Sequence, residues 1–302
     1  MTAERSVSIL GLGQMGSALA RAYVRAGWKA IVWNRSAAKA ESLVAEGAIA
    51  VKSITECVSA SRLVITCLLD HKALHEIFAN VSPHPDDGAV LVDFTSGTAA
   101  QIQETQRMIK DLHISAYIRG IVCTTPAYVG TPETSLYYSG NSEAFKAISD
   151  DIRVLGKPLY IGDDPSSASI QECILVNTLF GLVAGFLQSM AVLRKSNLYS
   201  HGSAERFLSE AIAPLLAHDY PCMLRDYARQ IDKKQYGSTE GARLGLVVHS
   251  LESLMQHHSE LGLASVVLAP LQELVKTRIA QGGADEELSS LVETISDSQK
   301  KH

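Results

Sequence analysis

No two of the five cysteines (Cys57, Cys67, Cys123, Cys173 and Cys222) stand at CxxC spacing, and an odd number cannot all pair. Neither a zinc site nor a disulfide framework is therefore indicated. The pattern fits a reducing cytosol, so the expected location is cytoplasmic. An excess of basic charge is also missing: 27 Lys and Arg face 32 Asp and Glu, a formal net charge of −5. Nucleic acid is therefore not an expected partner. The opening "MTAERSVSIL" runs straight into a strand pattern and shows no signal peptide. There is no internal repeat and no low-complexity linker. With 302 residues, 46% of them apolar and 20% charged, the chain has material for about two domains with real cores.

One further absence is local. No charged residue lies between Cys173 and Leu193, and the stretch "SASIQECILVNTLFGLVAGFLQSMAVLRK" holds one carboxylate, Glu172, before Arg194. The run is long enough to cross a bilayer. Asn177, Thr178, Gln188 and Ser189 interrupt it, and soluble-looking segments flank it, so no membrane is expected. A helix apolar on all sides instead belongs at the centre of a helical domain. Its apolar surface exceeds what one such domain easily covers, which points to burial against a second subunit.

What is present in the first half is alternation. The runs "SVSILGLG", "KAIVWN", "RLVITCLL", "AVLVDFTS", "AYIRGIV", "TSLYYSG" and "PLYIGD" read as strands, with helical segments between several of them. Ser36 is the expected N-cap of "SAAKAESLVAEG". Continuous apolar strands in such a pattern predict a parallel sheet covered on both faces. Beyond Asp164 the strand signals stop. Ser166 and Ser167 are candidate caps for a long helix over about 166–195, and Pro214, Pro221 and Pro270 mark breaks or kinks in the helical runs that follow. The charged tail "SDSQKKH" is expected to fray.

"GLGQMG" follows the first strand and opens a helix. In that setting Gly11 permits the tight turn, Gly13 lets backbone approach a pyrophosphate, and Gly16 lets helix pack on strand. The free N–H groups of the helix N-terminus complete a dinucleotide site. An NAD site usually carries Asp or Glu at the end of the second strand. Here "VWNRSAAK" offers Asn34, Arg35, Ser36 and Lys39. A carboxylate would repel a 2′-phosphate and arginine grips one, so the pattern predicts NADPH; the alternative is that Arg35 and Lys39 are solvated surface charges.

Across nearly its whole length the chain resembles the β-hydroxyacid dehydrogenase superfamily, and within it the imine reductases and reductive aminases. The resemblance rests on "GLGQMGSALARAYVRAGWKAIVWNRSAAKA", "CLLD", "FTSGT", "TTPAYVGTPETSLYYSG", "SASIQECILVNTLFGL" and "ARQIDKKQY". It implies an α/β N-terminal Rossmann domain (1–164) and an all-α C-terminal domain (165–302), joined by a long interdomain helix. It also implies a domain-exchanged homodimer. The cofactor residues it implies are Gly11, Leu12, Gly13, Gln14, Met15, Asn34, Arg35, Ser36, Lys39, Cys67, Leu68, Leu69, Thr95 and Ser96. Ser96, Cys173, Val176, Phe180, Leu215 and Leu246 would line the substrate pocket. The hydroxyacid dehydrogenases carry lysine four residues before Asn177, where this chain has Cys173. The reductive aminases carry aspartate and, eight residues on, tyrosine; the matching positions here are Glu172 and Phe180.

Hydride delivered to a ketone leaves an alkoxide that needs a proton donor, the task of that lysine. Hydride delivered to a protonated imine gives a neutral amine directly and gains from a nearby negative group. A helix with Glu172 and no lysine therefore predicts NADPH-dependent reduction of a C=N bond, as imine reduction or reductive amination. Reduction of a ketone, a hydroxyacid's keto form or an activated C=C bond remains the alternative, as does an NADPH-binding protein without catalysis. Glu172 shares a helical face with Val176, Leu179 and Val183, which points it into apolar company; it also suits a helix-dipole acid. Tyr128 and His249 are the further candidate catalytic residues, against ring packing for the tyrosine and a structural role for the histidine. Ser96 sits where nicotinamide and substrate meet, or caps the next helix. Adjacent His257 and His258 point about 100° apart, so no metal site is expected, and Asp232 reads as structural.

Overall fold

A computed structural model describes residues 5–85, 88–237 and 241–297; the tail from Ser298 lies outside them. The chain divides into two compact units, Met1–Thr178 and Leu179–His302.

Among the described residues, eight strands of the first unit form one sheet: β1 (Ser6–Leu10), β2 (Lys29–Trp33), β3 (Ile49–Ala50), β4 (Leu63–Thr66), β5 (Ala89–Asp93), β6 (Ile114–Val122), β7 (Ser135–Gly140) and β8 (Lys157–Gly162). Their order is β3-β2-β1-β4-β5-β6-β7-β8. The order reverses between β1 and β4, the crevice at which doubly wound sheets bind ligands. Helices α1 (Gln14–Arg25), α2 (Glu41–Ala45), α3 (Ile54–Val58), α4 (His71–Phe78), α5 (Ala99–Met108) and α6 (Ser142–Ile152) connect the strands. All seven strands read from the sequence are present. The expected all-parallel sheet is corrected at one place: β6 and β7 are antiparallel, with Ile118 opposite Gly140. No full helix separates them, only the 3₁₀ turn Pro126–Tyr128, so the chain doubles back instead of crossing over.

Strands β1, β2 and β4–β6 are largely buried on both faces, and alternate residues feed two cores. Ile9, Ile65, Val92 and Ile118 pack with Leu19 and Tyr23 of α1 and Ile152 of α6. Leu10, Val64, Leu91 and Tyr117 pack with Val58, Leu74, Phe78 and Ile102 on the other side. Each such aliphatic side chain contributes about 1.5–3 kcal/mol by leaving water.

Two expected caps are corrected. Ser36 makes no side-chain cap bond; Asn34 Nδ2 instead donates to the Ser36 carbonyl at 3.0 Å. The long helix α7 (Ser166–Lys195) starts under Asp164, whose Oδ1 accepts from the Ser166 N–H at 2.9 Å.

The second unit continues α7 with α8 (Ser203–Phe207), a π-helical turn Leu208–Ile212, α9 (Ala213–Ala217), α10 (Asp219–Lys233), α11 (Leu244–Glu260), α12 (Leu268–Ala280) and α13 (Leu291–Asp297). Pro214, Pro221 and Pro270 all fall in first turns, where a missing N–H costs nothing. A small core joins Leu244, Leu251, Val275 and Leu291. Burial of α7 inside its own domain is not what one chain shows. Ile174, Leu179, Phe180 and Leu187 are each more than half exposed.

Candidate active site

β1 ends at Leu10, and the chain turns through Gly11 (φ +94°) into α1, whose N-cap is Gly13. A β-carbon on Gly11 would lie 2.3 Å from the Cys67 carbonyl oxygen, and one on Gly16 would lie 1.9 Å from that of Gly11. Both must be bare for the helix to seat on the strand. Gly13 differs: a β-carbon there would meet no protein atom within 4 Å. It opens on a groove of about 740 Å³ lined by Leu12, Gln14, Ser17, Lys39 and Pro126 among others. The first N–H groups of a helix have no helical carbonyl to bond. Bare backbone and first-turn N–H groups beside this groove fit the pyrophosphate end of a dinucleotide.

Several expected cofactor residues support this groove from behind. The side chains of Leu12 and Met15 pack in the core, leaving backbone as their contribution. Leu12 N–H donates to Asn34 Oδ1 at 3.0 Å, so Asn34 is a strut between glycine turn and β2. Leu68 N–H donates to Thr95 Oγ1 at 3.1 Å, and buried Thr95 likewise braces the loops. Burial pushes the Cys67 thiol up to about 12, which keeps it a neutral lining group. Arg35, Ser36, Lys39 and Leu69 are exposed.

At the C-terminal end of β5, beside the middle of β6, stands a polar cluster. Register places Asp93 opposite Arg119. Asp93 is fully buried and accepts from the Thr66 hydroxyl (2.7 Å), the Thr95 N–H (2.8 Å) and the Tyr117 hydroxyl (2.7 Å). Arg119 is also fully buried, and its Nη2 donates to Glu172 Oε2 at 2.7 Å. Ser96 Oγ donates to Glu172 Oε1 at 2.6 Å. The expectation of apolar company for Glu172 is therefore corrected: its long arm leaves the apolar stripe of α7 and reaches the strand ends. Ser96 caps nothing. Thr98 caps α5, in a capping box with Gln101. Burial depresses the pKa of His71, against the pull of Asp93. Its Nε2 faces the Thr95 carbonyl at 3.1 Å and its Nδ1 the Thr105 hydroxyl at 2.8 Å.

Tyr128 is mostly exposed and lines a cavity of about 370 Å³ with Cys123, Thr124, Glu133, Thr134 and Tyr137. Partial burial, then the Glu172 charge, push the Cys123 thiol up. Cys173 is exposed and accepts from Asn177 Nδ2 at 3.6 Å, and Val176 is half-buried. In the second unit Phe180, Leu215 and Leu246 are exposed. His249 is exposed too, with Nδ1 3.5 Å from Glu252 Oε2. Arg119, Asp93 and His71 escaped the sequence reading. A charged residue inside an otherwise apolar strand, as in "AYIRGIV", was the signal available, because such a charge must be paired when buried.

Residues 6–162 match the family described as the NAD binding domain of 6-phosphogluconate dehydrogenase. Residues 164–297 match the NADPH-dependent reductive aminase-like C-terminal domain. Over 294 residues the chain is 32% identical to the NADPH-dependent reductive aminase of Aspergillus oryzae, spanning 96% of this chain and 97% of that protein. The chain belongs to the reductive aminase family. A reductive aminase from Aspergillus terreus, solved in complex with NADPH and ethyl levulinate, matches with a TM-score of 0.89 at 32% identity, covering 97% and 100% of the two chains. An imine reductase from Bacillus cereus matches at 0.82 and 28% identity, with the same coverage. Within the reductive aminase fold, Glu172 of this member is anchored by Arg119 and Ser96, and Phe180 brings no hydroxyl.

Proposed function

We propose that this chain is an NADPH-dependent reductase of C=N bonds, acting on preformed imines or on imines assembled from a carbonyl and an amine. The observation that carries this reading is the Glu172 carboxylate, held at the strand ends by Arg119 and Ser96, with Cys173 rather than lysine beside it. When bound, NADPH supplies the hydride. The backbone from Gly11 to Met15 holds the pyrophosphate, and Arg35, Ser36 and Lys39 hold the 2′-phosphate. Glu172 favours the protonated, cationic form of the C=N group, which accepts hydride without a further proton donor. NADPH oxidation with a cyclic imine, a ketone and an enone tests the reading. Consumption with the imine alone is expected; consumption with only the ketone or enone would contradict it.

Cofactor choice has its own test. Arg35→Ala is expected to weaken NADPH by about 1.5–3 kcal/mol, the worth of a charge-assisted hydrogen bond, and to leave NADH nearly unchanged. Titration of both cofactors measures this, and equal losses would remove Arg35 from the 2′-phosphate.

The exposed apolar side chains of α7 support a homodimer. An apolar cavity of about 770 Å³ in the second unit, lined by Leu182, Phe186, Leu193, Phe207, Leu216 and Leu254 among others, supports it further. The helix is also long and apolar enough to span a membrane by length and composition. Covering by a second copy predicts a detergent-free dimer in sedimentation, with no folded monomer on dilution. A stable active monomer, or a chain soluble only in detergent, is the contrary result. Five free cysteines support a reducing, cytoplasmic location.

A further inference from the structure

Arg119 is the largest fully buried side chain in the described residues. A guanidinium in the middle of a sheet is costly unless its charge is balanced and its N–H groups are bonded. Its Nη2 meets Glu172 Oε2 at 2.7 Å, and its Nη1 donates to the carbonyls of Asp93 (2.8 Å) and Gly120. Nε has no partner among the described residues. Because Ser96 takes the other oxygen, both oxygens of Glu172 are fixed. Ser96 spends its one hydroxyl proton on this and has none left for substrate.

The charges around the pair can be followed outward. Every partner of the Asp93 carboxylate is a donor: two hydroxyls and one backbone N–H. It therefore needs no proton of its own. His71 Nε2 must carry a hydrogen to bond the Thr95 carbonyl, and its Nδ1 shares the Thr105 hydroxyl with His75 Nε2, each at 2.8 Å. Burial lowers the pKa of the ring and so favours its neutral form, 3.8 Å from Asp93 Oδ2. Tyr117 is held protonated, since burial and Asp93 raise it well above its ordinary pKa. Two carboxylates and one guanidinium remain, which leaves one negative charge. Asp93 lies below in the sheet, while Glu172 is the member that reaches solvent, with its side chain 24% exposed.

We infer that Arg119 is a positioning residue: it fixes the Glu172 carboxylate before substrate arrives, and with Asp93 beneath it leaves the cluster one net negative charge that selects cationic C=N substrates. This rests on the C=N reading above. The same residues would disfavour an anionic substrate such as a ketoacid.

A double-mutant cycle tests it, with kcat and KM measured for Arg119→Met, Glu172→Gln and the pair. Arg119→Met is expected to lower kcat by at least about ten-fold in the native background and by less than about two-fold beside Glu172→Gln, because groups acting through one another are not additive. The KM for NADPH is expected to stay level. Arg119→Lys, which keeps charge but loses the fork, serves the same cycle where Arg119→Met does not fold, and should recover part of kcat. A full-sized loss beside Glu172→Gln, or no loss in the native background, would reduce Arg119 to a structural residue. The cycle runs on whichever substrate the enzyme turns over. Failure of every imine in the panel would thus sink the C=N reading, while additivity would sink this one.

Discussion

Glu172→Gln is expected to lower turnover on a neutral imine by about 10²–10⁴-fold, the range for a positioned acid–base group. The substitution keeps length and helix propensity and removes only the charge. A permanently charged quaternary iminium needs no protonation, so its turnover should fall much less. The structure adds a consequence for stability. Arg119 is fully buried and faces Glu172 at 2.7 Å, so the neutral amide leaves a buried guanidinium without its counter-charge. A hydrogen bond to a charged group is worth about 1.5–3 kcal/mol, and the melting temperature should drop accordingly. NADPH affinity should not change, because the groove at Gly13 shares no residue with the Glu172 contacts. Steady-state kinetics on both substrates, with a melting curve, measure all three. Unchanged turnover on the neutral imine would move the search to Tyr128 and His249.

Gly13→Val should raise the NADPH dissociation constant by at least about 100-fold, near 2.7 kcal/mol, with the fold intact. A β-carbon at Gly13 meets nothing of the protein within 4 Å, so the added side chain projects into the space a pyrophosphate needs. Gly16→Val should behave oppositely. Its β-carbon would lie 1.9 Å from the Gly11 carbonyl oxygen, so the apo protein itself should lose stability. Calorimetric binding and apo melting curves for the pair separate a cofactor cradle from a packing glycine. Loss of fold in Gly13→Val, or normal NADPH binding by it, would contradict the assignment.

What the residues disclosed unaided follows from the strength of the local signal. Seven strands were legible as apolar runs, most clearly where burial on both faces makes the run continuous, as in "VLVD" of β5. β3 is two exposed residues and carries no such pattern. The reversal at β7 was not legible, because a parallel and an antiparallel neighbour can share one apolar run. The caps went astray where several oxygen-bearing residues stand together. In "FTSGT" the correct cap, Thr98, was marked only by Gln101 three residues on. Glu172 was found from its isolation in α7, but its partners were not. Arg119 lies 53 residues away and Ser96 76, and only the β5–β6 register brings Arg119 against Asp93.

Isotope transfer tests hydride delivery to a C=N bond most directly. The enzyme would be incubated with a cyclic imine and NADPH deuterated at the transferable C4 position, each face in turn, and the product analysed by mass spectrometry. The expected product is the cyclic amine carrying one deuterium on the former imine carbon, from one face of the cofactor only. Deuterium absent from the amine, or appearing instead in an alcohol or a saturated C–C product when a ketone or enone competes in the same mixture, would contradict it.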